Sequence, residues 1–394
     1  MRFEKIAGCF LFAGAAALFA VTLPAPTTPA KGQKTATTKK STKTAPKAAA
    51  KAPAKAPKKT TKKAAPKRYS PWSEPTYADS TVGDVTEGED AVVRRAAVAA
   101  LGRYNGSVVA VDPNTGRVLA MVNQKVALKS GFQPCSTIKL PVAIGALVEG
   151  LIDRATVVRT SAGKRLTLTD ALAHSDNAFF ATLGTKLGFD RFSYYARLLG
   201  LGEKAGLNIE GEQRGVFPVR PTSSGVGMMS SFGEGISLTP LQLAAMLSSF
   251  ANGGTLYYLQ YPRSAEEVEA FTPRVKRRVD LGRWLPEIKP GMTAAVEYGT
   301  ARRANYDPGE PVLGKTGTCT DNRTHLGWFG SFNDVGRNKL VVVVLLTGGS
   351  GVSGPTAAEV AGNMYRRLSE ADFFASNQQL SPTALLSTQS CCVR

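Results

Sequence analysis

Cys135-Ser136-Thr137-Ile138-Lys139-Leu140-Pro141-Val142-Ala143-Ile144-Gly145-Ala146-Leu147 is the stretch from which the rest of the chain is read. A serine and a lysine three residues apart open an apolar helix expected over 137–150, with Pro141 tolerated near the first turn. The spacing puts Lys139 on the same face as Ser136, one turn on. The helix amides favour negative charge at the serine. The plain alternative for Ser136 is an N-cap. The tetrad also recurs as Ser161-Ala162-Gly163-Lys164, but there it sits in a glycine-containing turn with no helix behind it.

Two further elements follow in order. Ser175-Asp176-Asn177 falls in a break between helical stretches, where it presents a hydroxyl and an amide to a cleft or simply caps a helix. Lys315-Thr316-Gly317-Thr318 lies in an expected strand. Gly317 there lets a ligand approach the backbone, and alternate threonines line one face. Gly309 with Gly314-Lys315-Thr316 satisfies the phosphate-loop expression as well. It lacks the buried strand before and the helix after, which excludes nucleotide binding. Lys129-Ser130-Gly131 is a loop look-alike.

Around these motifs the pattern is mixed. An Ala/Val-rich helix is expected over 90–101, then a hairpin of strands 108–111 and 118–121 around Asp112-Pro113-Asn114-Thr115-Gly116-Arg117. Helices are expected over 167–173, 177–187, 189–199 and 240–251, strands over 312–319, 326–332 and 339–346, and a closing helix over 355–368. The last strand is apolar throughout its second half, so it is read as central and covered on both faces. Strands at both ends with helices between predict an α/β (α+β) architecture. A late hairpin completes an early one in a single antiparallel sheet, and the helical insert forms a second lobe across a cleft.

The chain has 394 residues and a net charge of +19. Residues 31–68 hold thirteen Lys, one Arg and no acid, so +14 sits there. The first 30 residues add +1 and residues 69–394 carry +4, which excludes a globally basic nucleic-acid coat. Residues 31–68 have no Val, Ile, Leu, Met or aromatic and are read as a disordered linker. Residues 69–89 are read as an acidic linker and 371–394 as a flexible tail. Arg2 and Lys5 before the uncharged apolar run 6–23 read as a signal peptide or membrane anchor over 1–30, with cleavage after Ala25 or Ala30 as one outcome. Export to the periplasm or another extracytoplasmic space follows. The basic linker is a tether, or a partner for anionic wall polymers or lipid headgroups. No cysteine or histidine spacing suggests a metal, and no cofactor is expected.

The order S-x-x-K, S-x-N, K-T-G resembles the transpeptidase domain of penicillin-binding proteins, and the likeness covers about residues 90–370. Gly106-Ser107-Val108-Val109-Ala110-Val111-Asp112, Leu207-Asn208-Ile209-Glu210-Gly211-Glu212, Gly233-Glu234-Gly235-Ile236-Ser237-Leu238-Thr239-Pro240-Leu241-Gln242-Leu243-Ala244 and Gly327-Trp328-Phe329 extend it. The resemblance implies a five-stranded antiparallel sheet flanked by helices, an all-helical lobe and an active site between them. It also implies acyl transfer from D-Ala-D-Ala stem peptides of peptidoglycan through a Ser136 acyl-enzyme, with β-lactams as covalent inhibitors. Ser175 would relay a proton and Asn177 hold the substrate peptide. Thr316, Gly317 and Thr318 would bind substrate beside Lys315, and the Ser136 and Thr318 amides would form the oxyanion hole.

Only two histidines exist, His174 and His325, neither in triad context, so Lys139 is the base for Ser136. To be neutral, its ordinary pKa of about 10.4 must fall by about 3. A second cation about 4 Å away, at an effective dielectric of about 20, supplies about that much, and Lys315 is read as that fixed charge. Rival readings are a D,D-carboxypeptidase, a class-D-like β-lactamase or β-lactam sensor, and a non-catalytic wall-binding module. The glutamate of the class A deacylation motif is replaced by Lys204. The short stretch between Val122 and Pro134 keeps carboxypeptidase activity open, and 31–90 is too short for a glycosyltransferase or pedestal domain. Cys135 and Cys319 flank motif residues, and a disulfide between them is open. Cys391 and Cys392 are read as tail thiols.

Overall fold

A computed structural model of the chain describes residues 72–375 apart from 130, 208 and 337. The apolar run 6–23, the linker 31–68 and residues 376–394 lie outside the described residues. The main sheet has five strands: β1 (Gly106–Val111), β2 (Val118–Val122), β3 (Val312–Asp321), β4 (Thr324–Asn333) and β5 (Val341–Gly348). Their order is β2-β1-β5-β4-β3 and every neighbouring pair is antiparallel. The early and late hairpins meet where β1 pairs with β5, Gly106 opposite Leu346 and Val111 opposite Val341. The apolar strand is therefore central, as its sequence predicts. Val341, Val343 and Leu345 enter one core, while Val342, Val344 and Leu346 enter the other.

Helices Ala91–Leu101 and Gly354–Ser369 cover the second core, and the helical lobe covers the first. Asp90 caps the former helix by accepting from the Val92 and Val93 amides at 2.9 Å. In the lobe, helix Pro240–Ala251 opens with a reciprocal cap: Gln242 N donates to Thr239 Oγ1 and Thr239 N to Gln242 Oε1. The stretches expected over 177–187 and 189–199 form Asn177–Leu198, broken at Gly188, where φ is 75° and ψ 165°. Helix Leu285–Glu297 escaped sequence reading because Pro286 and Pro290 both lie in it. It packs on helix Leu168–Ala173 so closely that a Cβ on Gly291 would lie 2.7 Å from Leu172 Cδ1.

The described part of the expected acidic linker, 72–89, instead packs on the body. Asn105 N donates to Thr76 O (2.9 Å), and Ser73 N to Arg323 O in the β3–β4 turn (2.9 Å). Asp84 accepts from the Asn123 and Gln124 amides at 2.9 Å. Glu89 accepts from Met121 N and from Tyr261 OH, both at 2.7 Å. Arg94 reaches Asp84 at 2.9 Å and Glu89 at 3.3 Å. The two carboxylates are 2% and 1% exposed, so neither is left to neutralise a basic linker. At the other end Phe373 and Phe374 are buried, which carries the body into the expected tail.

Removing one partner from such a buried cluster leaves charge uncompensated. Arg94→Ala is expected to lower stability by about 3 kcal/mol in urea unfolding. A loss within about 0.5 kcal/mol, the range for ordinary surface substitutions, would contradict this packing.

Candidate active site

Ser136 lies in a 3-10 turn, Cys135–Ile138, that leads directly into helix Lys139–Val148. Cys135 adopts φ 51° and Ser175 adopts φ 56°, left-handed values that a side chain tolerates only where the surroundings hold it. The residues before the turn are pinned: Trp328 Nε1 donates to Gln133 O (2.9 Å) and Gln133 Nε2 to Phe232 O (2.9 Å). A disulfide joins Cys135 to Cys319 with Cα atoms 5.6 Å apart.

The first two motifs converge on the Lys139 amine, and the third reaches it through the Ser175 hydroxyl. Its Nζ lies 3.0 Å from Ser136 Oγ, 2.7 Å from Ser175 O, 3.1 Å from Ser175 Oγ and 2.6 Å from Asn177 Oδ1. Lys315 Nζ donates to Ser175 Oγ at 2.7 Å and to Thr316 O at 3.1 Å. The Ser175 hydroxyl thus bridges the two lysines, both fully buried. Burial brings the Lys139 pKa down from 10.5 to about 7, against the opposing pull of the Asp176 carboxylate. Burial also holds Lys315 well below the ordinary amine range, helped by repulsion from Lys139. Desolvation is thus the first cause of the shift at both amines, and the mutual repulsion expected from Lys315 as a second cation beside Lys139 adds to it.

The geometry suits a neutral Lys139. Such an amine has two N–H bonds and one lone pair. Ser175 O and Asn177 Oδ1 can only accept, so they take the N–H bonds. The lone pair is then left for a hydroxyl.

Strand alternation divides the third motif between two faces of β3. Lys315, Gly317 and Cys319 face the nucleophile turn. A Cβ on Gly317 would sit 3.0 Å from Pro134 O and 3.3 Å from Cys135 Cβ, so the missing side chain makes room for the protein itself before any ligand. Thr316 and Thr318 face the other way. Thr316 is 3% exposed and shares a 2.7 Å hydroxyl pair with Thr300. Thr318 is exposed, and its Oγ1 accepts from Gly354 N at 2.8 Å, leaving the O–H free to donate. Thr300 carried no signal in the sequence. Its amide donates to Ala173 O (3.0 Å), two residues before Ser175, so it links the second motif to the third.

The decoys separate. Ser161 is exposed in the turn of the small hairpin Val158–Arg159/Arg165–Leu166, and Lys164 pairs with Asp176 at 3.2 Å. Lys315-Thr316 continues as strand, not helix, which disposes of the phosphate loop. His325 Nδ1 lies 2.8 Å from Thr320 Oγ1, and the His174 ring 5.8 Å from that of Tyr298. Among the described residues no group of His, Cys, Asp or Glu could hold a metal ion.

The profile of the family described as penicillin binding protein transpeptidase domain matches residues 106–366. The chain belongs to the penicillin-binding protein transpeptidase family. Similar proteins include stage V sporulation protein D of Bacillus subtilis, 28% identical over 310 residues and covering 66% of this chain and 48% of the relative. Peptidoglycan D,D-transpeptidase MrdA of Acinetobacter baumannii is 25% identical, covering 54% and 41%. Peptidoglycan D,D-transpeptidase FtsI of Escherichia coli is 29% identical, covering 43% and 33%. The chain thus spans half or less of the length of these relatives. The fold is shared with Pseudomonas aeruginosa PBP2, solved in complex with WCK 5153, at a TM-score of 0.63 and 22% identity over 76% of this chain and 79% of that one.

A transpeptidase-family lysine with a depressed pKa leaves a thermodynamic trace. Between pH 7 and 10.5 the unfolded chain holds a proton on Lys139 that the folded chain has released. Stability therefore rises with pH across this window. Relative to Lys139→Met, the wild type is expected to gain stability from pH 7 to pH 10 in urea unfolding. Parallel pH profiles for the two proteins would contradict the assignment.

Proposed function

We propose that the protein is a D,D-transpeptidase that acts on D-Ala-D-Ala stem peptides of peptidoglycan through an acyl-enzyme on Ser136. The observation that carries this reading is the Lys139 amine, held 3.0 Å from Ser136 Oγ and brought to a pKa of about 7. A serine hydroxyl needs such a base to act as a nucleophile near neutral pH.

In this mechanism Lys139 takes the Ser136 proton as Oγ attacks the carbonyl of the penultimate D-Ala. The negative charge on the carbonyl oxygen is met by the Ser136 and Thr318 amides. β3 is an edge strand, so alternate amides along it have no strand partner on the outer side. Ser175 Oγ, in contact with both lysines, passes the proton to the departing D-Ala nitrogen. Asn177 keeps Oδ1 on Lys139 and offers its amide nitrogen to the substrate backbone. The substrate's terminal carboxylate is bound by the Thr318 hydroxyl and by Lys315, whose protonated form an arriving anion favours. Thr316 acts through position, held by Thr300. An amine of a second stem peptide then takes the acyl group, restoring Ser136. A β-lactam follows the same first step and remains attached.

Four oxygens within 3.1 Å of the Lys139 nitrogen speak against the carboxylated lysine of a class-D-like β-lactamase. The complete and connected constellation supports catalysis over a non-catalytic wall-binding module. Work outside the cytoplasmic membrane follows from the substrate. Residues 6–23 serve there as signal or anchor, with 31–68 as a basic tether. Among the described residues no helix is long and apolar enough to cross a membrane.

The full chain is expected to bind fluorescent penicillin covalently, with a rate that rises with pH through about 7 as Lys139 loses its proton. Ser136→Ala should abolish the label and Ser161→Ala leave it intact. Deleting 31–68 should leave labelling intact while releasing the protein from wall and membrane fractions at low salt. Labelling of Ser136→Ala at the wild-type rate, or rapid turnover of penicillin without a lasting label, would contradict the reading.

A further inference from the structure

Cys135 immediately precedes Ser136, and Cys319 immediately follows Thr318. The disulfide therefore ties together the residues beside the two amides that the proposed function assigns to the oxyanion hole, across 184 residues of chain. These two segments belong to different elements. The nucleophile turn is a 3-10 turn outside the sheet, and β3 is the edge strand. They touch at Gly317, where the turn lies against a residue without a side chain. Cys135 sits in the left-handed region at φ 51°, a conformation that relaxes unless something holds it.

Hydrogen bonds close the turn on itself, with Thr137 N and Oγ1 both donating to Pro134 O, but they do not reach β3. Trp328 and Phe232 hold Gln133, upstream of the serine, and Lys139 holds the helix downstream. The S–S bond alone links the residue before Ser136 covalently to the residue after Thr318.

We propose that the Cys135–Cys319 disulfide is a positioning element for catalysis: it sets the separation of the Ser136 and Thr318 amides, so that acylation depends on the oxidised pair. The inference rests on the transpeptidase reading. Two-electron reduction by a dithiol breaks the S–S bond, leaves two cysteine thiols and converts the dithiol to its disulfide. Cys319 is half-buried and Cys135 fully buried, so a reductant enters from the β3 side. Removing an oxyanion donor outright costs about 10²- to 10³-fold in rate, and loosening one is expected to cost about tenfold.

The test compares the full chain in three states: oxidised, reduced with dithiothreitol, and reoxidised. The Cys319→Ser variant serves as a permanently open form. Acylation is measured with fluorescent penicillin, then with a D-alanyl depsipeptide ester and the same ester carrying C=S in place of C=O. Sulfur is larger and a weaker hydrogen-bond acceptor, so a tight two-amide hole discriminates against it and a loosened hole discriminates less. Thermal melting establishes that each form is folded at the assay temperature.

The expected result is an acylation rate about tenfold lower after reduction, a smaller ester-to-thionoester ratio, and recovery of both on reoxidation. A folded, reduced chain that acylates at the oxidised rate would overturn the proposal. So would equal proportional losses for ester and thionoester, which mark general loosening of the fold. Failure of the oxidised chain to acylate at all would overturn the transpeptidase reading, and this inference with it.

Discussion

Two lysine amines buried against one serine hydroxyl are the constraint on which the rest of the site depends. Lys139 and Lys315 come from different lobes, and Ser175 Oγ lies 3.1 Å from one nitrogen and 2.7 Å from the other. Two full charges there would repel in a poorly hydrated space. The site avoids this by burial, which lowers both pKa values. A lysine that is ordinarily protonated becomes a base near neutral pH. The backbone accommodates the arrangement: Cys135 and Ser175 both take left-handed conformations to bring their turns together.

β3 carries this constraint into the sheet by strand periodicity. Its face with Lys315, Gly317 and Cys319 supplies an amine, a gap and a covalent link toward the nucleophile turn. The opposite face supplies Thr316 to Thr300 and Thr318 to Gly354, the start of the closing helix. One ten-residue strand thus joins the helical lobe, the loop after Leu285–Glu297 and the C-terminal helix. The N-terminal segment reaches the same hairpin from outside, through Ser73 and Arg323.

Much of this was legible in the sequence, for physical reasons. The motif residues must combine fixed chemistry with fixed spacing, so Ser136, Lys139, Ser175, Asn177 and Lys315 stand out, and the structure brings them into one hydrogen-bonded cluster. The apolar run in β5 announced a strand covered on both sides. What escaped depends on three-dimensional context. Thr300 is an ordinary threonine until the fold places it on Thr316. Helix Leu285–Glu297 is masked by its prolines. Asp84 and Glu89 look like surplus charge until Arg94 and three backbone amides are seen to use them. Likewise, sequence names the neighbouring cation as a reason for a neutral Lys139, whereas the larger share that burial contributes cannot be read from a motif.

The central claim is that Lys139 is deprotonated near neutral pH by its burial in the folded protein. The most direct measurement is an NMR titration of protein labelled with ¹³C at lysine Cε, with the Lys139 signal assigned by its loss in Lys139→Met. The account predicts a midpoint near pH 7, far below the exposed lysines. A Lys139 signal that titrates with those lysines, near pH 10.5, would contradict it.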